Sequence, residues 1–309
     1  MALQELVAPE TAGAPTGEQK WVRSRLWHKG HHICPTTIGR LLKALDYSLQ
    51  ANVKRLAGAQ HPERDAQFKY IERQKQAFLA AGQPVISVDA KKKELIGNFK
   101  NAGQSWCREA EAVNDHDFAT EATGKAVPYG IYDLQHNAGN VYVGQSADTA
   151  EFAVTMIADW WTTIGQRTFV GANRLLILCD GGGSNGWRSR LWKAQLQERL
   201  ADLLGLEVTV CHYPTGTSKW NPVEHRLFGP ISVNWAGKPL RTLETLLGYI
   251  RDTTTHTGLQ VTAFLVEQVF EKGLKVSDET LDALNLERHD TCPNWNYTIR
   301  PRTDCCAGT

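Results

Sequence analysis

Long apolar runs are missing from this 309-residue sequence: the longest strand-like ones are Leu175 to Cys179 and Val208 to Cys211. A membrane span needs roughly 20 apolar residues in a row, so no transmembrane helix is expected. Met1 to Gly13 lacks the basic stretch and following apolar stretch of a signal peptide. Cysteine is sparse, seven residues with no CxxC pair, and an odd, scattered set speaks against a disulfide framework and for a reducing, cytoplasmic setting. Soft metal ligands cluster only at His31, His32 and Cys34, with no second pair at finger spacing, so zinc is not expected. Cys305 and Cys306 sit in a polar tail and read as exposed thiols.

An overall excess of charge of either sign is also lacking, the net value being +1. Resolved along the chain, the picture changes. From Lys20 to Gln60 eight Lys or Arg (Lys20, Arg23, Arg25, Lys29, Arg40, Lys43, Lys54 and Arg55) face a single acid, Asp46. Such a local excess is the footprint of a nucleic-acid contact, because neutralising phosphates supplies most sequence-independent affinity; a solvated basic face is the plainer reading. The chain is long enough for one large domain, or for a domain of about 200 residues plus a smaller one.

Residues 1–19 are rich in Ala, Gly, Pro and Thr and read as a loose arm. Ile38, Leu41, Leu42 and Leu45 follow the i, i+3, i+4, i+7 spacing of one helix face, with Thr36, Thr37, Arg40 and Lys43 opposite. That helix suits the recognition helix of a helix-turn-helix, and equally any small amphipathic helix. Ser48 to Gln60 reads as a basic connector and Pro62 to Ala81 as a further helix ended by Gly82 and Pro84.

Beyond residue 84 the period changes. Pro84 to Asp89 is a short β-branched run ending in a carboxylate, and Tyr129 to Leu134 and Asn140 to Gln145 flank a hairpin turn. Asp148-Thr-Ala-Glu151 resembles a capping box opening a helix with Ala153, Ile157, Trp160, Trp161 and Ile164 on one face. Arg174 to Asp180 is a buried strand, again ending in a carboxylate. Trp192, Leu196, Leu200 and Leu203 define the next helix, and Glu207 to His212 the next strand. This alternation predicts an α/β domain with a mixed sheet covered by helices.

Three carboxylates stand out. Asp89 and Asp180 each end an apolar strand, the edge where open α/β sheets bind ligands. Glu224 follows Asn221 and Pro222, which read as the N-cap and first residue of a helix. Each has a structural alternative: strand-end aspartates cap turns, and Glu224 would complete an Asn-x-x-Glu capping box. Brought to one edge they would repel one another unless cations intervened, and two Mg²⁺ ions, which take carboxylate and phosphate oxygens, would resolve the conflict. Gly181-Gly-Gly-Ser-Asn-Gly186 supports a rival, since it fits GxGxxG between a strand and a helix as a dinucleotide-binding oxidoreductase would require. Asp180 would then face the pyrophosphate, and the next strand ends in Cys211, His212 and Tyr213 with no acid for a ribose. Lys91, Lys92 and Lys93, just past Asp89, suit a phosphate contact or a solvated turn.

These motifs resemble the ISAzo13 family of insertion-sequence transposases. The resemblance runs from about residue 36 to Arg302 and is specific in Ile86 to Lys100, Leu176 to Gly186 and His212 to Arg226. It implies a DDE catalytic triad of Asp89, Asp180 and Glu224 on a ribonuclease-H-like fold, with two Mg²⁺ (or Mn²⁺) as metal and transposon-end and target DNA as partners. Implied too are a homo-oligomer on DNA and a two-stage reaction, metal-activated water cutting at the transposon end and the freed 3′-hydroxyl attacking target DNA. Two departures stand at the front: the N-terminal region is shorter than is usual there, leaving no room for the first helix of a helix-turn-helix, and Ala90 replaces a hydroxyl residue. The expected organisation is a basic arm and reduced helix-turn-helix over 1–60, a connecting helix over 61–84, the catalytic domain over 85–302 and a tail over 303–309. A nuclease without strand transfer and a cleavage-dead DNA-binding relic stay open.

Overall fold

The computed structural model describes residues 20–48 and 61–302. The chain divides into two compact units, 1–58 and 59–309.

In the first unit two helices, α1 (Lys20–His28) and α2 (Pro35–Ala44), pack together, with Leu26 and Ile38 buried. Gly30 turns the chain between them with φ +83°, and the His31 N–H bonds back to the Leu26 carbonyl at 2.8 Å. The expectation that no helix fits before the amphipathic one is therefore wrong. The stretch that looked too short holds nine helical residues, hidden because its apolar and basic residues are interleaved without a clear stripe. Pro35 opens α2, where its missing N–H costs nothing. Of the expected apolar face, Ile38 is buried and Leu42 half-buried, while Leu41 and Leu45 stay exposed. Arg40 and Lys43 are exposed. Lys54 and Arg55, the connector over 49–60, the arm over 1–19 and the tail over 303–309 lie outside the described residues.

The second unit is built on a nine-stranded mixed sheet in the order β7-β4-β3-β1-β5-β6-β9-β8, with β2 paired to β3. Its centre comprises β1 (Val85–Ala90), the hairpin β3 (Gly124–Asp133) and β4 (Ala138–Gly144), β5 (Arg174–Cys179) and β6 (Glu207–His212). Parallel pairing joins β1 to β5 and β5 to β6; β3 runs antiparallel to both β1 and β4. This is the mixed sheet that the sequence predicts, in the ribonuclease-H-like arrangement that the resemblance implies. β2 is Glu94–Ile96, β7 Gln260–Val266, β8 Leu286–Arg288 and β9 Asn296–Ile299.

Side chains alternate along a strand, and the core follows that parity. Ile86 and Val88 of β1 and Leu175, Ile177 and Cys179 of β5 face the cluster of α4 (Ala150–Trp160) and α5 (Arg190–Gln195), where Trp160 and Trp192 are fully buried. Val85, Leu176 and Leu178 face α3 (Arg64–Ala80) through Tyr70, Ile71 and Phe78. On the same side, over β3 and β4, lie Leu227, Phe228 and Ile231 with α7 (Leu243–Arg251); the short helix α6 (Gly229–Asn234) precedes it.

Two local expectations fail for physical reasons. Thr149, not Asp148, caps α4, its hydroxyl accepting from the Phe152 N–H, and Glu151 pairs with Arg199 at 3.4 Å. Leu203 is 76% exposed, because α5 continues as a π-helix over Leu196–Asp202. The wider π turn rotates the next residue off the apolar stripe.

Candidate active site

The parity that builds the core also aims the two aspartates. Val85 pairs with Leu176 and Ser87 with Leu178, so Asp89 and Asp180 follow in step at neighbouring parallel strand ends, on the face shared with Leu176 and Leu178. Glu224 comes to that face from outside the sheet. It opens a π-helical turn, Glu224–Phe228, whose Leu227 and Phe228 are buried against β3 and β4. Two glycines permit the close approach. A Cβ at Gly130, the residue opposite Asp89 in the β1–β3 register, would come within 2.6 Å of the Phe228 ring, and one at Gly139 within 2.3 Å of Leu227. The helix therefore sits where a side chain at either of these two positions would push against it.

All three carboxylates are half-buried. Burial, then the charge of Asp180, lifts Asp89 from the usual carboxylate range to about 8; Glu224 adds to the rise both by its charge and by a hydrogen bond to Asp89. The Ala90 N–H, 2.8 Å from Oδ1, opposes it. Burial likewise lifts Asp180 to about 6, helped by Glu224 and opposed by a 3.0 Å hydrogen bond from Asn221 Nδ2. Two ionised carboxylates cannot share a hydrogen bond without a proton or a cation. Among the described residues no three His, Cys, Asp or Glu side chains are gathered tightly enough to hold one metal ion together. The charges act on one another in pairs, Asp89 with Asp180, Asp89 with Glu224 and Asp180 with Glu224.

Buried polar groups that the sequence did not single out fix these positions. The Ser87 hydroxyl donates to Asn221 Oδ1 at 2.5 Å and accepts from the Val223 N–H at 2.9 Å, while Asn221 Nδ2 also reaches the Val88 carbonyl at 3.3 Å. Strand β1 is thereby bolted to the turn that carries Glu224. Helical residues begin at Pro222, directly after Asn221, as the sequence reading has it, but the Asn221 amide is spent on Ser87, Val88 and Asp180 and does not serve as a side-chain cap. A hydroxyl residue in the apolar run Val85–Val88 was the available signal. Ser87→Ala would leave a buried N–H and a buried carbonyl oxygen unpaired, which costs about 1–3 kcal/mol. Urea unfolding should show a loss of that size, and one under about 0.5 kcal/mol would show that the bolt carries little.

Behind Asp180, on the opposite face, runs a second chain of hydrogen bonds. Burial pushes His212 down to about 4, so its ring is neutral and has one N–H. The Asp180 carbonyl, 3.0 Å from Nδ1, can only accept, which places the hydrogen there. Nε2 then accepts from the Tyr297 hydroxyl at 3.3 Å, and that hydroxyl accepts from Trp192 Nε1 at 2.9 Å. His212, Tyr297 and Trp192 are fully buried, so the backbone at Asp180 is held from the core.

Past Asp180 the glycine run does not open a helix. Gly183 turns at φ +67°, a 3₁₀ turn spans Gly183–Asn185, and α5 begins only at Arg190 with Ser189 as its cap. The helix N-terminus that a dinucleotide pyrophosphate needs is thus four residues away from the last glycine. Of the three lysines, Lys91 is bound to Glu94 at 2.6 Å and lies over the Trp235 ring at 4.6 Å, while Lys92 and Lys93 are exposed. Among the described residues no helix is long and apolar enough to cross a membrane.

A transposase is the class of protein that this fold and edge suggest, and the family comparison gives the same class. The family model described as the Rhodopirellula transposase DDE domain matches residues 2–301, and the chain belongs to that family. No curated protein matches the sequence. Similar solved structures include the Mos1 transposase paired-end complex with left transposon end (TM-score 0.48, 11% identity, 80% of this chain and 68% of the other). The Mos1 strand transfer complex (0.47, 14%, 80% and 68%) and the mariner Mos1 paired-end complex with Mg (0.48, 14%, 80% and 68%) are others.

Proposed function

We propose that this chain cuts DNA at transposon ends and joins the freed 3′-hydroxyl to target DNA, with Asp89, Asp180 and Glu224 as its catalytic carboxylates. The observation that carries the reading is their joint placement: two strand ends and one helix turn bring three acids to one face, where burial and mutual repulsion leave Asp89 and Asp180 hard to ionise. The donor set fits hard divalent cations, Mg²⁺ or Mn²⁺. Asp89, Asp180 and Glu224 would hold them. Bound there, a metal pair supplies the charge that activates an attacking oxygen and stabilises a leaving one.

The chain's own residues do the rest. Asn221 orients the Asp180 carboxylate, Ser87 fixes the start of the Glu224 turn, and the His212 chain fixes the Asp180 backbone. Exposed Lys92 and Lys93 stand next to β1, where they would hold the phosphates of the strand being cut. Arg40 and Lys43, with Lys54 and Arg55 of the same basic segment, would bind duplex DNA through its phosphates, and the protein would act as a homo-oligomer on the two ends, in the cytoplasm.

The test is to incubate the purified chain with DNA bearing the terminal repeats of its own element and Mg²⁺. Cuts at the repeat ends and joined products are expected. Cuts without joining would make it a nuclease, and DNA binding without cutting a relic. Binding itself should weaken steeply with salt, and charge reversal at Arg40 or Lys43 should weaken it on all sequences alike. An affinity indifferent to salt would remove the phosphate contacts.

A further inference from the structure

Next to Asp180 the second unit opens into a cleft of about 480 Å³, lined among others by His61, Gly181, Trp187, Arg188 and Trp295. None of the hydrogen bonds that fix the carboxylates uses these side chains. Trp295 is nearly buried and its ring lies 4.6 Å from that of His61. Trp187 is half-buried, and the Lys193 ammonium holds its carbonyl at 2.8 Å. Exposed Arg188 lays its guanidinium over the Trp187 ring, 4.6 Å from the centroid, and has no carboxylate partner among the described residues. Gly181 follows Asp180 directly, and the Trp187 ring packs beside it: a Cβ there would stand 3.4 Å from the indole, in ordinary contact.

Anchored flat rings and an unpaired guanidinium are the surface on which a nucleobase stacks while its phosphate is held. Bases within a duplex are already stacked and cannot offer a face. We propose that this cleft holds one unpaired DNA base beside the bond being cut, its ring on Trp187 and its phosphate on Arg188. The inference rests on the DNA-cutting reading and adds a feature of the substrate: DNA opened at the cut junction.

The experiment is fluorescence anisotropy with labelled terminal-repeat DNA, Ca²⁺ replacing Mg²⁺. A fully paired duplex is compared with the same duplex carrying a short single-stranded extension at the cut end. The full-length protein should bind the extended DNA about tenfold more tightly. Trp187→Ala and Arg188→Ala should each bring that ratio close to one and leave paired duplex binding unchanged, whereas Trp187→Phe should keep most of the preference. Arg188 is exposed, so its truncation leaves the fold alone. Equal binding of the two DNAs by the unaltered protein would overturn the cleft proposal only, as would a preference that survives both alanine substitutions. Binding of neither DNA would overturn the DNA reading, and the cleft proposal with it.

Discussion

Asp89→Asn, Asp180→Asn and Glu224→Gln should each reduce cutting of transposon-end DNA by on the order of 10³-fold or more while leaving the fold and DNA binding intact. Each exchange keeps the size of the side chain and removes a charge that nothing else at this edge replaces. Structural damage is not expected, because burial and repulsion already disfavour ionisation of the two aspartates. Asp89→Asn should even raise the melting temperature of the metal-free protein at about pH 8, since it deletes a charge whose largest opponent is desolvation. Circular dichroism and melting curves separate lost chemistry from lost structure. Retained cutting in any one of the three would remove that residue from the site.

Stability without divalent metal should fall as pH rises from about 4 to about 8. In the unfolded chain an aspartate titrates at about 3.9; in the folded protein Asp180 does so at about 6 and Asp89 at about 8. The folded state therefore binds more protons throughout this window. Stability from these groups is fully present below about pH 4 and is lost as pH passes the two folded values. Saturating Mg²⁺ or Mn²⁺ should oppose the fall by binding the ionised, folded site; at about 100 times Kd such linkage is worth about 2.7 kcal/mol. Melting curves at several pH values, with and without metal, would show it. A metal effect that is equal at pH 5 and pH 8, or that persists in Asp89→Asn, would place the cation elsewhere.

Much of the site was legible because strand parity is rigid. Short continuous apolar runs ending in Asp89 and Asp180 give the strand ends, and the register of β1 with β5 puts both acids on one face. Helices were harder. A π turn changes the period without any mark in composition, which is why Leu203, read in one helical series with Trp192, Leu196 and Leu200, is exposed. The helix over Lys20–His28 interleaves its apolar residues with basic ones, so they form no clear stripe. β9 was missed because its polar residues look like a loop; they are buried because each finds a partner, Thr298 on Thr209 at 2.9 Å and Asn296 on Gln67 at 2.6 Å. The same blindness hid Ser87, Tyr297 and the amide of Asn221. Partners distant in sequence decide what a buried polar group does, and only the folded chain brings them together.

Iron-directed cleavage tests the shared carboxylate site most directly. With Fe²⁺ in place of Mg²⁺ and with hydrogen peroxide and ascorbate added, iron bound at this edge would reduce the peroxide to hydroxyl radicals that break the nearby backbone, and ascorbate would return the iron to Fe²⁺. Fragments should end close to Asp89, Asp180 and Glu224 together, should fade as Mg²⁺ competes, and should vanish in Asp89→Asn. Fragments ending elsewhere, or a pattern that Mg²⁺ leaves untouched, would contradict the assignment of these three residues to one metal site.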